Sequence, residues 1–553
     1  MQFDQKITNL KKQVEHYSRE ELIWFNGYLS GLLEQNQIQS SNQETLIDIT
    51  EIKPIILYGS ETGNSKKLAF EFLKLCKLNK IQARSFDLAT YKVEDLSKEN
   101  FIVFICSTQG EGEPPLSAQS FFEKLSKVTL DLSQVRYCVL AIGDSSYPFY
   151  CKAGEQLDAL LKKQGSTPVI ALQKLDVDYK DHTKVWFDTV LEALRNNTIN
   201  SPRIGTSTVL QTNSKVVYQA VVNHKVLLND RESNKKTYHL ELSCDQYIDY
   251  QPGDAIGVYS VNDKTSMLKI AQILGAKSRF EELKDLCITG LTKTVITQLS
   301  VCLKIEISQN RIDLLDLLER YDLQASIDFD TVKSLLQPIS PRLYSVSSSP
   351  LAHDNQVHLT VALDQFETEK EKKTGLCSNY LSSFEIGQQI SFYVHNNSEF
   401  YLPEQDKDVI MIGPGTGIAP FRAFLEHRDA SGSQARNWLF FGEQYFVCDF
   451  YYQTEIQQWL ESGVLTRLDT AFSRDQKHKV YVQDRLKQNQ EELWAWIQAG
   501  AIIYVCGQKS PMSEDIDSTL IEIIMNNQKS SLEVAKAYLE QMFLDGQYKK
   551  DVY

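Results

Sequence analysis

The sequence predicts a multidomain α/β protein: a doubly wound parallel sheet, then an antiparallel β-barrel with a helical insert, then a second α/β sheet. Three observations predict it. Residues 54–196 alternate short apolar runs with amphipathic runs, the signature of βαβ units. From about 215 to 400 the runs turn β-rich, with helical runs confined to about 264–337. After about 408 the alternation returns and lasts to the end. A chain of 553 residues has length for about three or four domains of ~150 residues each.

The elements follow in order. Residues 1–50 read as a helical extension. Ser18-Arg-Glu-Glu21 is a capping box before Leu22, Ile23, Phe25, Tyr28, Leu29 and Leu32, an apolar face at helical spacing. In 54–196 the strand candidates are Ile55–Tyr58, Phe101–Cys106, Tyr137–Ile142 and Pro168–Leu172. The helix candidates are Lys66–Lys77, Gln119–Lys127, Gly154–Gln164 and Thr183–Arg195. Residues 197–214, polar and holding Pro202 and Gly205, read as a linker. Residues 215–400 hold strand candidates Val216–Leu228, Lys236–Leu242, Asp254–Tyr259, Val357–Leu363 and Gln388–His395. Residues 401–553 form the last domain.

Composition excludes several classes. A net charge of -14 argues against nucleic acid, whose phosphates demand a basic surface. An acidic surface either keeps the chain soluble or steers a basic partner. There is no apolar run near the ~20 residues of a membrane helix, and the polar start lacks a signal-peptide core. A cytoplasmic location is expected. The ten cysteines are scattered, without metal or cluster spacing, so no metal is expected.

Two unlike glycine-rich cradles carry the chemistry: Gly59-Ser-Glu-Thr-Gly-Asn-Ser65 and Gly413-Pro-Gly-Thr-Gly-Ile-Ala-Pro420. Each follows a strand and opens a helix. The first offers hydroxyls, backbone N–H groups and a helix start, which suit a phosphate monoester. Two further loops follow strands of the same domain: Ser107-Thr-Gln-Gly-Glu-Gly112, and Gly143 to Cys151 with Tyr147, Phe149 and Tyr150. Any one loop is compatible with ordinary turn chemistry. All three at successive strand ends resemble the flavodoxin family, whose phosphate loop is Ser-x-Thr-Gly-Asn. The resemblance implies FMN held by Ser60, Glu61, Thr62, Gly63, Asn64 and Ser65. Ser107, Thr108, Gln109 and Gly110 would flank its ring, with Ile142, Gly143, Asp144, Ser145, Ser146, Tyr147, Pro148, Phe149, Tyr150 and Cys151.

In the middle, Arg342-Leu-Tyr-Ser345 offers a guanidinium for a pyrophosphate and an aromatic ring for stacking. Gly375-Leu-Cys-Ser378 opens an amphipathic run. Alone, the first is a common strand tetrapeptide. Together, ahead of the second cradle, the pair resembles the FAD motifs of the ferredoxin–NADP reductase family. That implies FAD contacts at Arg342, Leu343, Tyr344, Ser345, Thr360, Val361, Ala362, Phe366, Gly375, Leu376, Cys377 and Ser378.

The second cradle lacks the G-x-G-x-x-G fingerprint and is similar to that family's NADP pyrophosphate loop. The resemblance implies NADP contacts at Gly413, Gly415, Thr416 and Gly417, and at Ser473, Arg474, Lys479, Val480, Tyr481, Val482, Gln483 and Asp515. Arg474 and Lys479 bring charge for a 2′-phosphate, or else form a solvated basic turn. Cys506 ends a strand in Tyr504-Val-Cys-Gly507, either as a core thiol or beside a nicotinamide. The family continues with Asp where this chain has Gln508. The chain stops at Asp551-Val-Tyr553.

Residues 54–553 as a whole resemble the diflavin reductases, and among them the flavoprotein components of assimilatory NADPH–sulfite reductases. Supporting features are Trp438-Leu-Phe-Phe-Gly442, Ala471-Phe-Ser-Arg-Asp-Gln476 and the terminal Tyr553. The barrel insert is short for that family. The implied fold is flavodoxin-like, then an FAD-binding barrel, then a ferredoxin–NADP reductase-like α/β domain. The implied flow is NADPH to FAD to FMN to a siroheme/iron–sulfur subunit that reduces sulfite to sulfide, serving cysteine biosynthesis. Ser345, Cys506 and Asp551 would flank the hydride-transfer point, with Tyr553 over the FAD ring. Residues 1–50 would drive homo-oligomerisation. The alternatives are a soluble diflavin reductase for a haem monooxygenase and a non-catalytic flavin-binding scaffold.

Overall fold

A computed structural model describes residues 52–195 and 215–553, apart from Glu111, Ser146, Asp178, 309–311, 322–327 and 368–371. The helical extension and the linker expected at 197–214 lie outside the described residues. Lys53–Tyr553 cluster as one unit by their contacts.

The first sheet contains β1 (Ile55–Gly59), β2 (Arg84–Asp87), β3 (Phe101–Ser107), β4 (Arg136–Ile142), β5 (Thr167–Pro168) and β6 (Gln173–Leu175). All pair in parallel, in the order β2-β1-β3-β4-β5, with β6 also on β4. This is the flavodoxin-like order, with its switch point between β1 and β3. The central strands are continuous apolar runs because helices cover both faces: Ile55, Leu57, Ile102, Phe104 and Val139 pack with Phe121 and Leu157 of helices Gln119–Lys127 and Lys152–Lys163.

Two local expectations change. β2 is an edge strand of sequence Arg-Ser-Phe-Asp with alternating exposure, so no apolar run announced it. The expected strand Pro168–Leu172 is instead split. Val169 N–H still donates to Tyr137 C=O at 2.9 Å. The chain then leaves the sheet and rejoins β4 at Leu140–Ile142 through β6. Pro168 itself has no N–H to give a ladder.

The second sheet holds β7 (Val217–Leu227), β8 (Thr237–Ser243), β9 (Ala255–Val258), β10 (Arg342–Ser345), β11 (Gln356–Ala362) and β14 (Gln389–His395). β12 (Gln365–Glu367) and β13 (Lys372–Thr374) make a separate hairpin. The main order is β10-β9-β14-β7-β8-β11, all antiparallel. The two ends are joined by the bridge Val346–Leu359 and by Ser347 N–H donating to His358 C=O at 2.8 Å, which closes the barrel. The insert, from helix Lys264–Ile273 to helix Phe329–Leu335, has an apolar core of its own that includes Ile270, Leu283, Leu299, Leu314 and Val332.

The third sheet holds β15 (Val409–Ile412), β16 (Asn437–Glu443), β17 (Arg467–Phe472), β18 (Ile502–Gly507) and β19 (Tyr548–Val552), all parallel, in the order β17-β16-β15-β18-β19. Counted within the domain this is 3-2-1-4-5, whose switch point lies between β15 and β18. The second cradle leaves β15 there, beside Cys506 and Gly507. The tail is no frayed end: β19 pairs along β18, setting Asp551 opposite Cys506 and Val552 opposite Gly507.

Candidate functional site

In the first cradle, Gly63 N–H donates to Ser60 Oγ at 2.9 Å. Gly63 has φ of 94°, and a Cβ there would lie 2.5 Å from the Phe543 ring, so the turn needs glycine. Helix Asn64–Leu78 starts immediately after. Its Ser65 hydroxyl is buried and has no hydrogen-bond partner among the described residues. A buried hydroxyl costs free energy unless satisfied, and a phosphate oxygen at this helix start would satisfy it. Thr62 is exposed and Asn64 half-buried.

The neighbouring loops are tied together. Ser107 Oγ donates to Gly59 C=O at 3.4 Å and Thr108 N–H to Ile142 C=O at 3.0 Å. Gln109 Oε1 is buried without a partner among the described residues, and Gly110 has φ of 53°. Gly143 N–H donates to Leu175 C=O at 3.0 Å, and Ser145 is held by Asp176. Pro148 is exposed, and Phe149 and Tyr150 are half-buried. Cys151 is buried beneath the loop, its thiol directed at Ala141 C=O. Ser146 lies outside the described residues.

On the barrel, Arg342 and Leu343 are exposed while Tyr344 and Ser345 are half-buried. Tyr344 hydrogen-bonds Cys377, and burial, then that thiol, push its phenol well up. Ser378 Oγ donates to Gly375 C=O at 3.1 Å and accepts Asp364 N–H at 3.1 Å. This fixes the start of helix Leu376–Ser383. Ala362 is exposed and Val361 buried. Phe366 is exposed on the β12–β13 hairpin. Thr360 is buried, with its hydroxyl 2.6 Å from Tyr452 Oη.

The second cradle is close-packed backbone. A Cβ on Gly413 would lie 2.4 Å from Gly417 C=O, and one on Gly417 would lie 2.1 Å from Cys506 C=O. Such crowding keeps the backbone bare, as a pyrophosphate contact requires. Ser473 and Arg474 donate their backbone N–H groups to Glu443 and Gln444, each at 2.8 Å. That pins an otherwise exposed turn carrying Arg474 and Lys479. Val480 is partly buried and Val482 lies in the core, while Tyr481 is exposed. Gln483 Nε2 donates to Asp515 Oδ2 at 3.2 Å.

The barrel and the third sheet meet at Asp551. Ser345 Oγ donates to Asp551 Oδ2 at 2.8 Å, and Cys506 Sγ lies 3.9 Å from the same oxygen. Burial raises the Asp551 carboxyl above its ordinary range, though the bond from Ser345 works against it. Burial, with Asp551 beside it, pushes the Cys506 thiol well up, so it stays protonated. The Tyr553 ring is exposed, with its hydroxyl 2.7 Å from Thr416 Oγ1.

Sequence reasoning missed the contacts that join these parts. Asp144 pairs with Lys215 at 2.6 Å and His395 at 3.2 Å on the barrel. Lys509 pairs with Glu61, Lys67 with Glu399, and Lys180 with Glu399 at 2.9 Å. Buried Arg422 makes a two-point pair with Glu455 at 2.6 and 3.1 Å and donates to Ser347 C=O at 2.5 Å. It thereby bolts the third sheet's helix Ala419–Ser431 to the barrel. Burial and this guanidinium drive His358 down, so its ring stays neutral. The only signal for Arg422 was its place two residues beyond the second cradle's Pro420.

The comparisons agree with this layout. Residues 56–185 match the flavodoxin family, 304–380 the FAD binding domain, and 411–518 the oxidoreductase NAD-binding domain. The chain is similar to the sulfite reductase (NADPH) flavoprotein alpha-component of Vibrio cholerae, at 34% identity over 100% of this chain and 96% of that protein. The protein of that name from Vibrio vulnificus is 35% identical over the same shares. The one from Bacillus subtilis is 33% identical over 98% of this chain and 97% of its own. Among the described residues, no helix is long and apolar enough to cross a membrane.

Proposed function

The chain belongs to the sulfite reductase (NADPH) flavoprotein alpha-component family, an oxidoreductase using FMN, FAD and NADPH, and on that premise we propose that it relays electrons from NADPH to a siroheme/iron–sulfur subunit that reduces sulfite to sulfide. When bound, NADPH supplies a hydride and the two flavins divide its electrons into single transfers toward the acceptor.

The observation that carries this reading is the convergence of Ser345, Cys506 and Asp551 on one oxygen atom. Three segments far apart in sequence supply a hydroxyl, a thiol and a buried carboxyl to the face between barrel and third sheet. Asp551 Oδ2 holds the Ser345 proton and so fixes the hydroxyl. Neutral Cys506 offers a soft, uncharged surface for the nicotinamide edge. Residues 60–65 hold the FMN phosphate, with 107–110 and 142–151 around its ring. Arg342, Tyr344, Gly375 and Ser378 hold FAD, with Leu343, Thr360–Ala362, Phe366, Leu376 and Cys377 beside it. Gly413, Gly415–Gly417, Ser473, Arg474 and Lys479–Gln483, with Asp515, hold the dinucleotide. Residues 1–50 join copies of this chain in the same reading.

The test uses the purified full chain. It should carry FMN and FAD, bleach anaerobically with NADPH, and make sulfide only when the siroheme subunit is added. Failure to bleach overturns the relay. Sulfide from the chain alone overturns the partner assignment.

A further inference from the structure

The backbone and ring of Tyr553 are held in different ways. The backbone continues the sheet: Tyr553 N–H donates to Gly507 C=O at 3.1 Å, and Lys509 N–H donates to Tyr553 C=O at 2.9 Å. The residue as a whole is 63% exposed. Its hydroxyl reaches Thr416 Oγ1 at 2.7 Å. Thr416 stands on a close-packed backbone, a cradle in which Gly413 and Gly417 admit no Cβ. The terminal ring is thus tied to the cradle by one neutral hydrogen bond.

We propose that Thr416 is a positioning residue for Tyr553: its hydroxyl holds the terminal ring in the closed position that the nicotinamide must displace. This rests on the reading above that the dinucleotide occupies the second cradle. Tyr553 lies two residues past Asp551, which sits opposite Cys506, so in this reading the ring and the nicotinamide compete for the space there. The Thr416 bond adds to the work of opening. A net bond of this kind shifts an equilibrium about two- to tenfold. The opening work bears on the nicotinamide half alone, so a dinucleotide with an extra anchoring phosphate tolerates it better than one without. The latch thus contributes to preference for NADPH over NADH.

Tyr553→Phe keeps the ring and leaves Thr416 in place. It should bind NADP+ about two- to tenfold more tightly by calorimetry, strengthen the long-wavelength nicotinamide–flavin absorbance, and lower KM for NADH by a similar factor. In a Thr416→Val background, Tyr553→Phe should change none of them further. The proposal is overturned if Tyr553→Phe binds NADP+ as the wild type does, or if its effect persists undiminished in Thr416→Val. A wild-type chain that NADPH fails to bleach would instead overturn the functional reading. Loss of flavin or of thermal stability in Tyr553→Phe, with NADP+ affinity unmoved, marks a merely structural bond and also overturns the latch.

Discussion

Ser345 and Asp551 are 206 positions apart in sequence and share a hydrogen bond of 2.8 Å. The bond spans two domains, because Ser345 ends a barrel strand and Asp551 lies on the last strand of the third sheet. Ser345→Ala or Asp551→Asn should therefore loosen the hydride geometry rather than the binding of either ligand. Misplacement of about 1 Å costs up to about a hundredfold in rate. We expect flavin bleaching by NADPH in stopped flow to slow about ten- to a hundredfold, with NADP+ affinity within about twofold of wild type.

Asp551 also sets a pH dependence. Burial raises its carboxyl in the folded state, so the folded chain binds its proton more readily than the unfolded one. The stability associated with that proton is present below the ordinary carboxyl pKa of about 4 and is lost as pH rises through the raised value. Above the ordinary value, burial penalises the folded carboxyl relative to the unfolded one. Asp551→Asn should thus raise the melting temperature at pH 7, and the gain should shrink toward zero near pH 4. A gain that grew on acidification would contradict this.

Asp144 links the first sheet to the barrel through Lys215 and His395. Burial works to raise its carboxyl, but His395 and Lys215 outweigh this and hold it far below the usual range. The sign is opposite to that of Asp551: the contribution to docking is present above about pH 4 and is lost only as acid reaches the depressed value. The pair is mostly buried, so Asp144→Asn should weaken docking of the first domain by about 1–3 kcal/mol. Small-angle scattering should show a more extended chain, and raised salt should move the wild type much less than the substitution does, since buried pairs are weakly screened.

Gly417 is the tightest point of the second cradle, with its Cβ position 2.1 Å from the Cys506 carbonyl oxygen and 2.7 Å from that carbonyl carbon. Backbone cannot rotate away as a side chain can. Gly417→Ala should push the loop from β18 at an overpacking cost of about 1–3 kcal/mol. NADP+ affinity should fall roughly five- to a hundredfold while FMN and FAD content stay at wild-type levels, as measured by calorimetry and released-flavin chromatography. Loss of flavin instead would place the effect in folding.

Much of the layout was legible because each sheet writes its own rhythm. The apolar runs at 55–58, 101–106 and 137–142 are central strands covered by helices, and covered strands must be apolar along their whole length. The glycine cradles were legible because Gly63, Gly413 and Gly417 occupy places no side chain can enter. Polar edges were not: β2 is Arg-Ser-Phe-Asp and shows no run. Nor were the meetings of distant segments. Nothing local marks Asp144 as a partner of Lys215, or Arg422 as a partner of Glu455 and Ser347. Those choices are made by domain packing, which a one-dimensional pattern does not encode. Asp551 was read from the chain's end by resemblance alone, and its cause is physical: β19 pairs with β18 in a register that leaves it opposite Cys506.

Glu61 and Lys509 join the first cradle to the segment that follows β18. Glu61 lies in the first one, where its Oε2 also accepts Leu116 N–H at 3.0 Å. Lys509 lies two residues beyond Gly507, with its ammonium on Glu61 and its backbone N–H on Tyr553 C=O at 2.9 Å. One residue therefore touches the FMN-side loop through its side chain and the terminal segment through its main chain. Lys509→Met removes the charge and keeps the stem, so the Tyr553 backbone bond survives while the tie to Glu61 is lost. The pair is partly exposed, which limits its worth to about 1 kcal/mol. Transfer from FAD to FMN should slow about two- to fivefold at low salt, with bleaching of FAD by NADPH unchanged. Added salt should erase the difference, since screening removes the same attraction in the wild type. A Lys509→Met chain whose inter-flavin step stays slow at high salt would mean that Lys509 acts through the shape of the loop and not through its charge.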